Sequence, residues 1–298
     1  MQRKHLLLNP IALLLAISFL YCSSPTPEGT KTNGYLVIIG GGKRAESLMN
    51  RFIELADGFN RGKIVIFPMA SAEPKETGQF QAEQLRELGA KDVSYFIISR
   101  EQADSDSVVS LLDGVIGIFF SGGVQTRLTE TIGGSATVKK IRQLYQDGAV
   151  IAGTSAGAAV MSEIMITGDE KRPETHRDMA FSRIERDNII TEKGFGFQKD
   201  VIFDQHFVRR KRHNRLISVV LENPQLVGVG IDESTAVIVH PDHTYEIIGD
   251  NSVVFYDARK AHISPANSTK NYSLAAANIK MHVLTQGYKF NMLTNQIE

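Results

Sequence analysis

Disulfide bonds and a net charge are both missing from this chain of 298 residues. Its single cysteine is Cys22, so no disulfide within the chain can support the fold, and a buried apolar core has to do so. The 33 lysines and arginines balance 33 aspartates and glutamates. No overall field therefore attracts nucleic acid, and any recognition of charge has to be local.

The sequence has neither a complete dinucleotide-binding motif nor a metal-binding motif. Gly40-Gly41-Gly42 follows an apolar run, but position 45 is alanine, so the G-x-G-x-x-G fingerprint of dinucleotide binding is not complete. We interpret these glycines as a backbone turn beside a site. No group of histidine, cysteine, aspartate and glutamate has the spacing of metal ligands. The sequence therefore predicts neither a metal nor another cofactor.

The first 22 residues have the features of an export signal. Arg3 and Lys4 precede an apolar run over 6–21 that is too short and too interrupted for a membrane span. The four residues that end at Cys22 resemble a bacterial lipobox, in which the cysteine is lipidated, although Tyr21 replaces the usual small residue. We expect an exported protein, either secreted or anchored as a lipoprotein.

The chain after the signal predicts a tether and one catalytic domain. Residues 23–33 are polar and contain two prolines, which is typical of a linker with nothing to bury. Residues 34–298 are expected to form a single domain. Its C-terminal part, with apolar runs at 279–284 and 288–293, is predicted to form a peripheral hairpin.

Short apolar runs alternate with segments of helical period over the first half of the domain. This alternation predicts an α/β fold, a three-layer α/β/α sandwich with a mostly parallel sheet, of the flavodoxin-like or class I glutamine-amidotransferase-like type. Functional sites of such sheets lie at the C-terminal ends of the strands. The predicted strands are 35–39, 63–67, 93–98, 115–120 and 149–152, and the predicted helices are 45–56, 77–88 and 138–146.

One of these strand ends carries a serine between glycines. Gly153-Thr154-Ser155-Ala156-Gly157 has the G-x-S-x-G pattern of a nucleophile elbow, in which a tight strand-to-helix turn exposes the serine oxygen. The N–H of Ala156, at the start of the helix, would face a developing oxyanion. The alternative is a loop of small residues that lets a helix pack closely against the sheet.

His206 is the best-placed candidate for a general base. It follows an apolar run in Asp204-Gln205-His206-Phe207, and on a strand positions 204 and 206 point to the same side. A purely structural histidine is the alternative. The acid that orients it could be Asp232, Glu233 or Asp204. The chain order of serine, histidine and acid differs from that of the α/β-hydrolases.

A run of cations follows His206. Arginines one turn apart on a helix could project together and bind carboxylates bidentately, whereas a solvated helix face is the ordinary interpretation. The cations are Arg209, Arg210, Lys211, Arg212 and Arg215.

Four stretches taken together resemble cyanophycinase, in the group of serine peptidases that also includes the dipeptidase called peptidase E. They are 121–125, 153–158, 204–207 with the following arginines, and 230–236. The resemblance implies a nucleophile at Ser155, a base at His206, a third member at Glu233, and an oxyanion hole at Gly123 and Ala156. It also implies a substrate pocket of Gln125, Asp204, Gln205, Arg210, Arg212 and Arg215, and a homodimer.

The same resemblance implies a substrate rich in aspartate and arginine. The family hydrolyses cyanophycin, a polyaspartate with arginine on each side chain, to β-aspartyl-arginine. Val124 stands where the family commonly has aspartate, so an aspartyl or isoaspartyl dipeptidase of the peptidase E type is the first alternative. A non-catalytic, peptide-binding surface lipoprotein is the second. An export signal on an enzyme of this kind favours scavenging of polymer from other cells.

Overall fold

The computed structural model describes residues 32–173, 181–264 and 272–298. The predicted export signal, Cys22 and all but the last two residues of the predicted tether lie outside the described residues. From residue 32 onward the described chain forms one compact unit.

Strands make up most of the regular structure. In chain order they are β1 (Tyr35–Ile39), β2 (Lys63–Phe67), β3 (Asp92–Tyr95), β4 (Val115–Phe120), β5 (Val150–Thr154), β6 (Ile164–Glu170), β7 (Ile189–Lys193), β8 (Val201–Gln205), β9 (Val227–Ile231), β10 (Thr235–Val239), β11 (Thr244–Gly249), β12 (Val253–Asp257), β13 (His262–Ile263), β14 (Ala276–Ala277), β15 (Lys280–Leu284), β16 (Lys289–Asn291) and β17 (Gln296–Ile297).

The helices lie mainly in the first half of the chain. They are α1 (Glu46–Leu55), α2 (Pro74–Glu87), α3 (Asp106–Ser110), α4 (Gln125–Ile132), α5 (Ala136–Asp147), α6 (Ala156–Ala159) and α7 (His213–Glu222).

A nine-stranded central sheet organises the fold, in the order β17-β16-β11-β10-β1-β5-β4-β2-β3. The five strands predicted from the sequence form its parallel half, from β1 to β3. The remaining four strands extend it with antiparallel pairs on the side of β10. The predicted α/β class is confirmed. The C-terminal ends of β1, β4 and β5 lie side by side at one edge.

Helices cover both faces of this sheet because successive apolar side chains along its strands point to opposite faces. Val37 and Ile39 of β1 point to a core shared with α1 and α2, whereas Leu36 and Ile38 point to the opposite core, which includes α4 and α5. In α1 the residues that face the sheet repeat at helical spacing, as amphipathic packing requires: Leu48, Met49, Phe52 and Ile53.

A second sheet, in the order β15-β12-β9-β8, was not predicted. Its β8 and β9 are parallel, and one of its faces packs on the core beside Leu36 and Ile38. Helix α7 covers its other face. The short connection from β9 to β10, residues 232–234, passes from the second sheet to the central one.

The predicted C-terminal hairpin is wrong in its pairing. Strand β15 pairs with β12 in the second sheet, and β16 pairs with β11 in the central sheet. The two runs therefore belong to different layers. Their apolar residues are used separately: Leu284 and Phe290 each enter the core from their own sheet.

Candidate active site

Ser155 lies at the sharp turn between β5 and α6. Its backbone has φ +52° and ψ −110°, a conformation that residues other than glycine rarely adopt, and strain of this kind marks a nucleophile elbow. The flanking glycines are required by space. A Cβ on Gly153 would lie 2.2 Å from the carbonyl oxygen of Gly157, and one on Gly157 would lie 2.2 Å from that of Phe120.

Three side chains form a hydrogen-bonded line from this serine. Ser155 Oγ lies 2.9 Å from His206 Nε2, and His206 Nδ1 lies 2.6 Å from Glu233 Oε1. Ser155 follows β5 of the central sheet, His206 follows β8 of the second sheet, and Glu233 lies in the connection between the two sheets. The order of nucleophile, base and orienting acid is the one that acyl transfer requires.

His206 does not continue the alternation of β8. Its φ is +48°, and its N–H donates to the carbonyl of Gly40 at 2.7 Å. Strand β8 ends at Gln205, so the alternation that predicted Asp204 and His206 on the same side does not extend to His206. Of the three acids that the sequence left open, Glu233 contacts the imidazole. Asp232 instead accepts the backbone N–H of Arg209 at 2.9 Å.

The surroundings keep the imidazole neutral and the carboxylate ionised. Burial lowers the pKa of His206, the hydrogen bond to Glu233 opposes this effect, and the charges of Arg210 and Arg212 lower the pKa further. The hydrogen bond from His206 in turn lowers the pKa of Glu233. A neutral imidazole beside a serine hydroxyl is the state that can accept a proton.

Backbone N–H groups are available beside Ser155. Within the described part of the chain, the N–H groups of Gly123 and Ala156 donate to no backbone carbonyl. Gly123 has φ +140°, and a Cβ there would lie 2.0 Å from the carbonyl oxygen of Ala70, so only glycine fits. Its neighbour Gly122 packs against Ser155, with 3.4 Å from an added Cβ to Ser155 Cβ. Such free donors can stabilise an oxyanion.

The cation run adopts a different structure from the predicted helix. Residues 207–212 form turns, and α7 begins only at His213. Arg212 and Arg215 still converge, but on Asp204. Arg215 Nε donates to Asp204 Oδ2 at 2.7 Å, and both side chains are 1% exposed. The implied direct contact of Asp204 and Arg215 with substrate is corrected, because each is buried against the other.

The other implied pocket residues differ in what they can offer a substrate. Gln125 Nε2 donates to the carbonyls of Ile166 and Thr167 at 2.8 and 2.6 Å, so only its Oε1 is left to accept a hydrogen bond. In this conformation its amide has no N–H left to donate to a substrate carboxylate. Arg212 Nη1 is bound to the backbone and side-chain oxygens of Gln205. Arg210 is exposed.

Burial and the charge of Arg215 lower the pKa of Arg212 to about 9. The group is still a cation at neutral pH. With Arg210, it supplies local positive charge close to His206 and Glu233, since the charges of both arginines shift the pKa of the imidazole.

A cleft of about 520 Å³ opens in front of Ser155 and His206. Its far wall carries Arg44, Glu76 and Phe80, which the sequence analysis did not identify as site residues. They follow the ends of β1 and β2, so the rule that sites lie at strand ends was the available signal. None of the six implied pocket residues lines this cleft: Gln125, Asp204, Gln205, Arg210, Arg212 and Arg215.

The described residues contain neither a cluster of metal ligands nor a helix that could span a membrane. No group of three or more histidine, cysteine, aspartate and glutamate side chains there could hold a metal ion. No helix there combines the length and apolar character needed to cross a bilayer.

Comparison with known proteins identifies the family. Residues 36–247 match the model of peptidase family S51. The cyanophycinase of Synechococcus elongatus is 30% identical over 282 residues, which cover 93% of this chain and 84% of the relative. The cyanophycinase of Nostoc sp. is 33% identical over 273 residues, which cover 90% of this chain and 88% of the relative.

A solved structure has the same fold. The peptidase from an acI-B1 Actinobacterium superposes with a TM-score of 0.63 at 22% sequence identity, covering 88% of this chain and 98% of its own. The family match spans most of the described domain, and the cyanophycinases align over about nine-tenths of the chain. The chain therefore belongs to peptidase family S51, a family of serine-type peptidases.

Proposed function

We propose that Ser155, His206 and Glu233 are the catalytic triad of a peptidase that cleaves aspartyl peptide bonds through an acyl-enzyme. The observation that carries this proposal is the continuous line of hydrogen bonds from Ser155 Oγ through the imidazole to Glu233. A structural histidine would not need a strained serine at one end and an ionised carboxylate at the other.

In the first half of the reaction His206 Nε2 takes the proton of Ser155 Oγ as the oxygen attacks the scissile carbonyl carbon. The N–H groups of Gly123 and Ala156 stabilise the negative charge that forms on the carbonyl oxygen. His206 then gives its proton to the departing amine, the C–N bond breaks, and the acyl group stays on Ser155.

In the second half water replaces the amine. His206 takes a proton from the water, whose oxygen attacks the ester carbon, and the same proton returns to Ser155 Oγ as the acid product leaves. Glu233 stays ionised throughout and stabilises the imidazolium that forms in each half.

For the substrate we propose cyanophycin, with β-aspartyl-arginine as the product. Two findings support this choice: the relatives described as cyanophycinases, and the local cations Arg210 and Arg212 beside the triad. An aspartyl unit carries carboxylates that such cations attract. Asp204 and Arg215 do not meet the substrate in this proposal, and their buried ion pair joins β8, which ends at Gln205, to α7, which begins directly after Arg212.

The test is digestion of cyanophycin by the purified protein, with the products identified by mass spectrometry. We expect β-aspartyl-arginine from the wild type and none from Ser155→Ala. Release of the dipeptide by Ser155→Ala at the wild-type rate would contradict the triad. Binding of the polymer without turnover by either protein would instead favour a non-catalytic, peptide-binding surface protein.

One observation favours a second candidate, a dipeptidase that acts on short aspartyl or isoaspartyl peptides. Val124, next to Gln125, is 44% exposed and places an apolar side chain where the cyanophycinase pattern has a carboxylate. The same digestion with α- and β-aspartyl dipeptides separates the candidates. Loss of dipeptides alone would replace the cyanophycin assignment and leave the triad standing.

We also propose that the protein is exported, that Cys22 is lipidated, and that the enzyme degrades polymer released by other cells. The supporting feature is the cationic and apolar sequence that ends at Cys22. A homodimer is a further proposal that comes from the family resemblance alone, and light scattering of the purified protein tests it.

A further inference from the structure

The cleft in front of Ser155 has two charged side chains of opposite sign and an exposed aromatic ring. Helix α2 supplies Glu76 and Phe80, which stand four residues apart and so share one face of the helix. Phe80 is 60% exposed, a high value for a phenylalanine beside a site. Arg44, after the glycine turn, forms the adjoining wall.

Arg44 has no charge partner among the described residues. Its Nη2 donates to Gln84 Oε1 at 3.0 Å, which fixes the guanidinium on the same face of α2. Its Nε is buried and has no hydrogen-bond partner. No carboxylate of the described residues forms an ion pair with it, and burial lowers its pKa. A half-buried guanidinium that lines the cleft and forms no ion pair within the described residues is suited to bind an anion that arrives with a ligand.

Glu76 and Phe80 together present the complementary chemistry. Glu76 is exposed at the start of α2 and forms no ion pair with any cation of the described residues. A flat cation that stacks on the ring of Phe80 can reach a carboxylate one helical turn away. The position of α2 is fixed by a buried hydrogen bond of 2.5 Å from Ser121 Oγ to Gln81 Oε1.

The position of His206 determines which part of a substrate this cleft receives. The imidazole lines the cleft. In the proposed mechanism it donates a proton to the departing amine. The amine must therefore leave on this side of Ser155.

We propose that this cleft is the leaving-group subsite of the peptidase, in which Arg44 binds a free carboxylate of the departing unit and Glu76 with Phe80 binds its guanidinium. The assignment rests on the proposed function. It makes a terminal unit that carries both groups, such as arginine linked through an aspartyl unit, the preferred leaving group.

The test uses short synthetic oligomers of β-aspartyl-arginine units that differ only in the departing terminal unit. That unit carries arginine or citrulline, and its carboxylates are free or amidated. For the wild type we expect kcat/KM to fall about 10- to 100-fold for either change, which corresponds to the loss of one charge-assisted contact. Arg44→Met should remove the preference for free carboxylates, and Glu76→Gln should remove the preference for arginine over citrulline.

Neighbouring charges provide matched controls. Lys43→Met and Glu73→Gln remove a charge of the same sign outside the cleft lining, and both should keep the wild-type ratios. Ratios between substrates do not depend on how much of a variant is correctly folded. Unchanged ratios in Arg44→Met and Glu76→Gln would overturn the subsite while the peptidase remains. Cleavage of none of the oligomers by the wild type would overturn the proposed function, and the subsite with it.

Discussion

Gly41 lies directly against the imidazole of His206. A Cβ at Gly41 would be 2.4 Å from His206 Cε1 and 2.5 Å from Nε2, and Gly41 has φ +105°. The next glycine, Gly42, has the same relationship to Glu233, with 2.7 Å from an added Cβ to Glu233 Cβ. The glycine turn after β1 is therefore part of the surface against which His206 and Glu233 pack.

Gly41→Ala should inactivate the enzyme by displacing the imidazole from Ser155. We expect kcat to fall at least about 100-fold, because a shift of about 1 Å is enough for a loss of that size. Gly114→Ala is the matched control, since Gly114 also has a positive φ but an added Cβ meets nothing within 4 Å. That variant should lose stability through backbone strain and keep its kcat. Equal kcat values in the two variants would contradict the packing argument.

Glu233→Gln should lower kcat by about 100-fold or more, because a neutral amide cannot stabilise the imidazolium or hold the required tautomer. Asp232→Asn is the comparison, since Asp232 accepts a backbone N–H and does not touch the imidazole. We expect at most a several-fold effect there. Steady-state kinetics of both proteins on one peptide decide between the two acids. A larger loss in Asp232→Asn would assign the third position to Asp232.

In a plot of kcat/KM against pH, the midpoint of the acid limb should lie below pH 6.5. His206 must be neutral to act as a base, and burial together with Arg210 and Arg212 lowers its pKa below that ordinary value. Activity is then lost only as the pH falls below the lowered pKa. Arg210→Gln removes one positive charge, so the pKa rises and the acid limb moves to higher pH. Lys211→Gln, whose charge is not among the causes of the shift, should leave the limb in place.

Removing the Asp204 carboxylate should greatly lower the free energy of unfolding, because the side chain is part of a buried ion pair. Loss of a residue that only contacted substrate would have a much smaller effect on stability. Asp204→Ala leaves Arg215 buried and unpaired, at a cost of about 3–5 kcal/mol in the free energy of unfolding. The double variant Asp204→Leu/Arg215→Met should recover much of that loss. Asp113→Ala breaks an exposed pair with Lys140 and should cost no more than about 1 kcal/mol. Urea denaturation measures all three, and equal losses for Asp204→Ala and Asp113→Ala would contradict the role of the buried pair.

Cys22→Ser tests the proposed lipid anchor in cells that express the full chain. The wild type should partition with membranes and carry fatty acid by mass spectrometry, and the variant should not. Fatty acid on neither protein, with both released to the medium, would favour simple secretion. Retention of both in the cytoplasm would contradict the export signal.

Local patterns were sufficient to predict the parallel half of the central sheet. The runs that became β1, β2 and β4 end at the predicted residues because each is a mainly apolar segment with a glycine before it and a glycine, proline or serine after it. The second sheet was missed because nothing in the runs that became β8, β9, β12 and β15 shows which sheet they join. Periodicity along one strand carries no information about its partner.

The site shows the same division between local and long-range information. Ser155 follows from a five-residue pattern, but the partner of His206 depends on a positive φ that a strand interpretation does not allow. Arg215 is a residue for which the local pattern predicts the wrong environment. Its position in a cation run indicates a solvated or substrate-facing residue, yet a single buried carboxylate, Asp204, draws it into the interior.

The proposed triad is divided between two sheets, so its geometry depends on how the two sheets pack against each other. Ser155 follows a strand of the central sheet and His206 follows a strand of the second sheet, so their 2.9 Å contact depends on the apolar layer between the sheets and on the hydrogen bond from His206 N–H to the Gly40 carbonyl. Loosening of that layer by heat or mild denaturant would part the two atoms before either sheet loses its backbone hydrogen bonds. Loss of turnover should then precede loss of secondary structure on warming, and cooling should restore both.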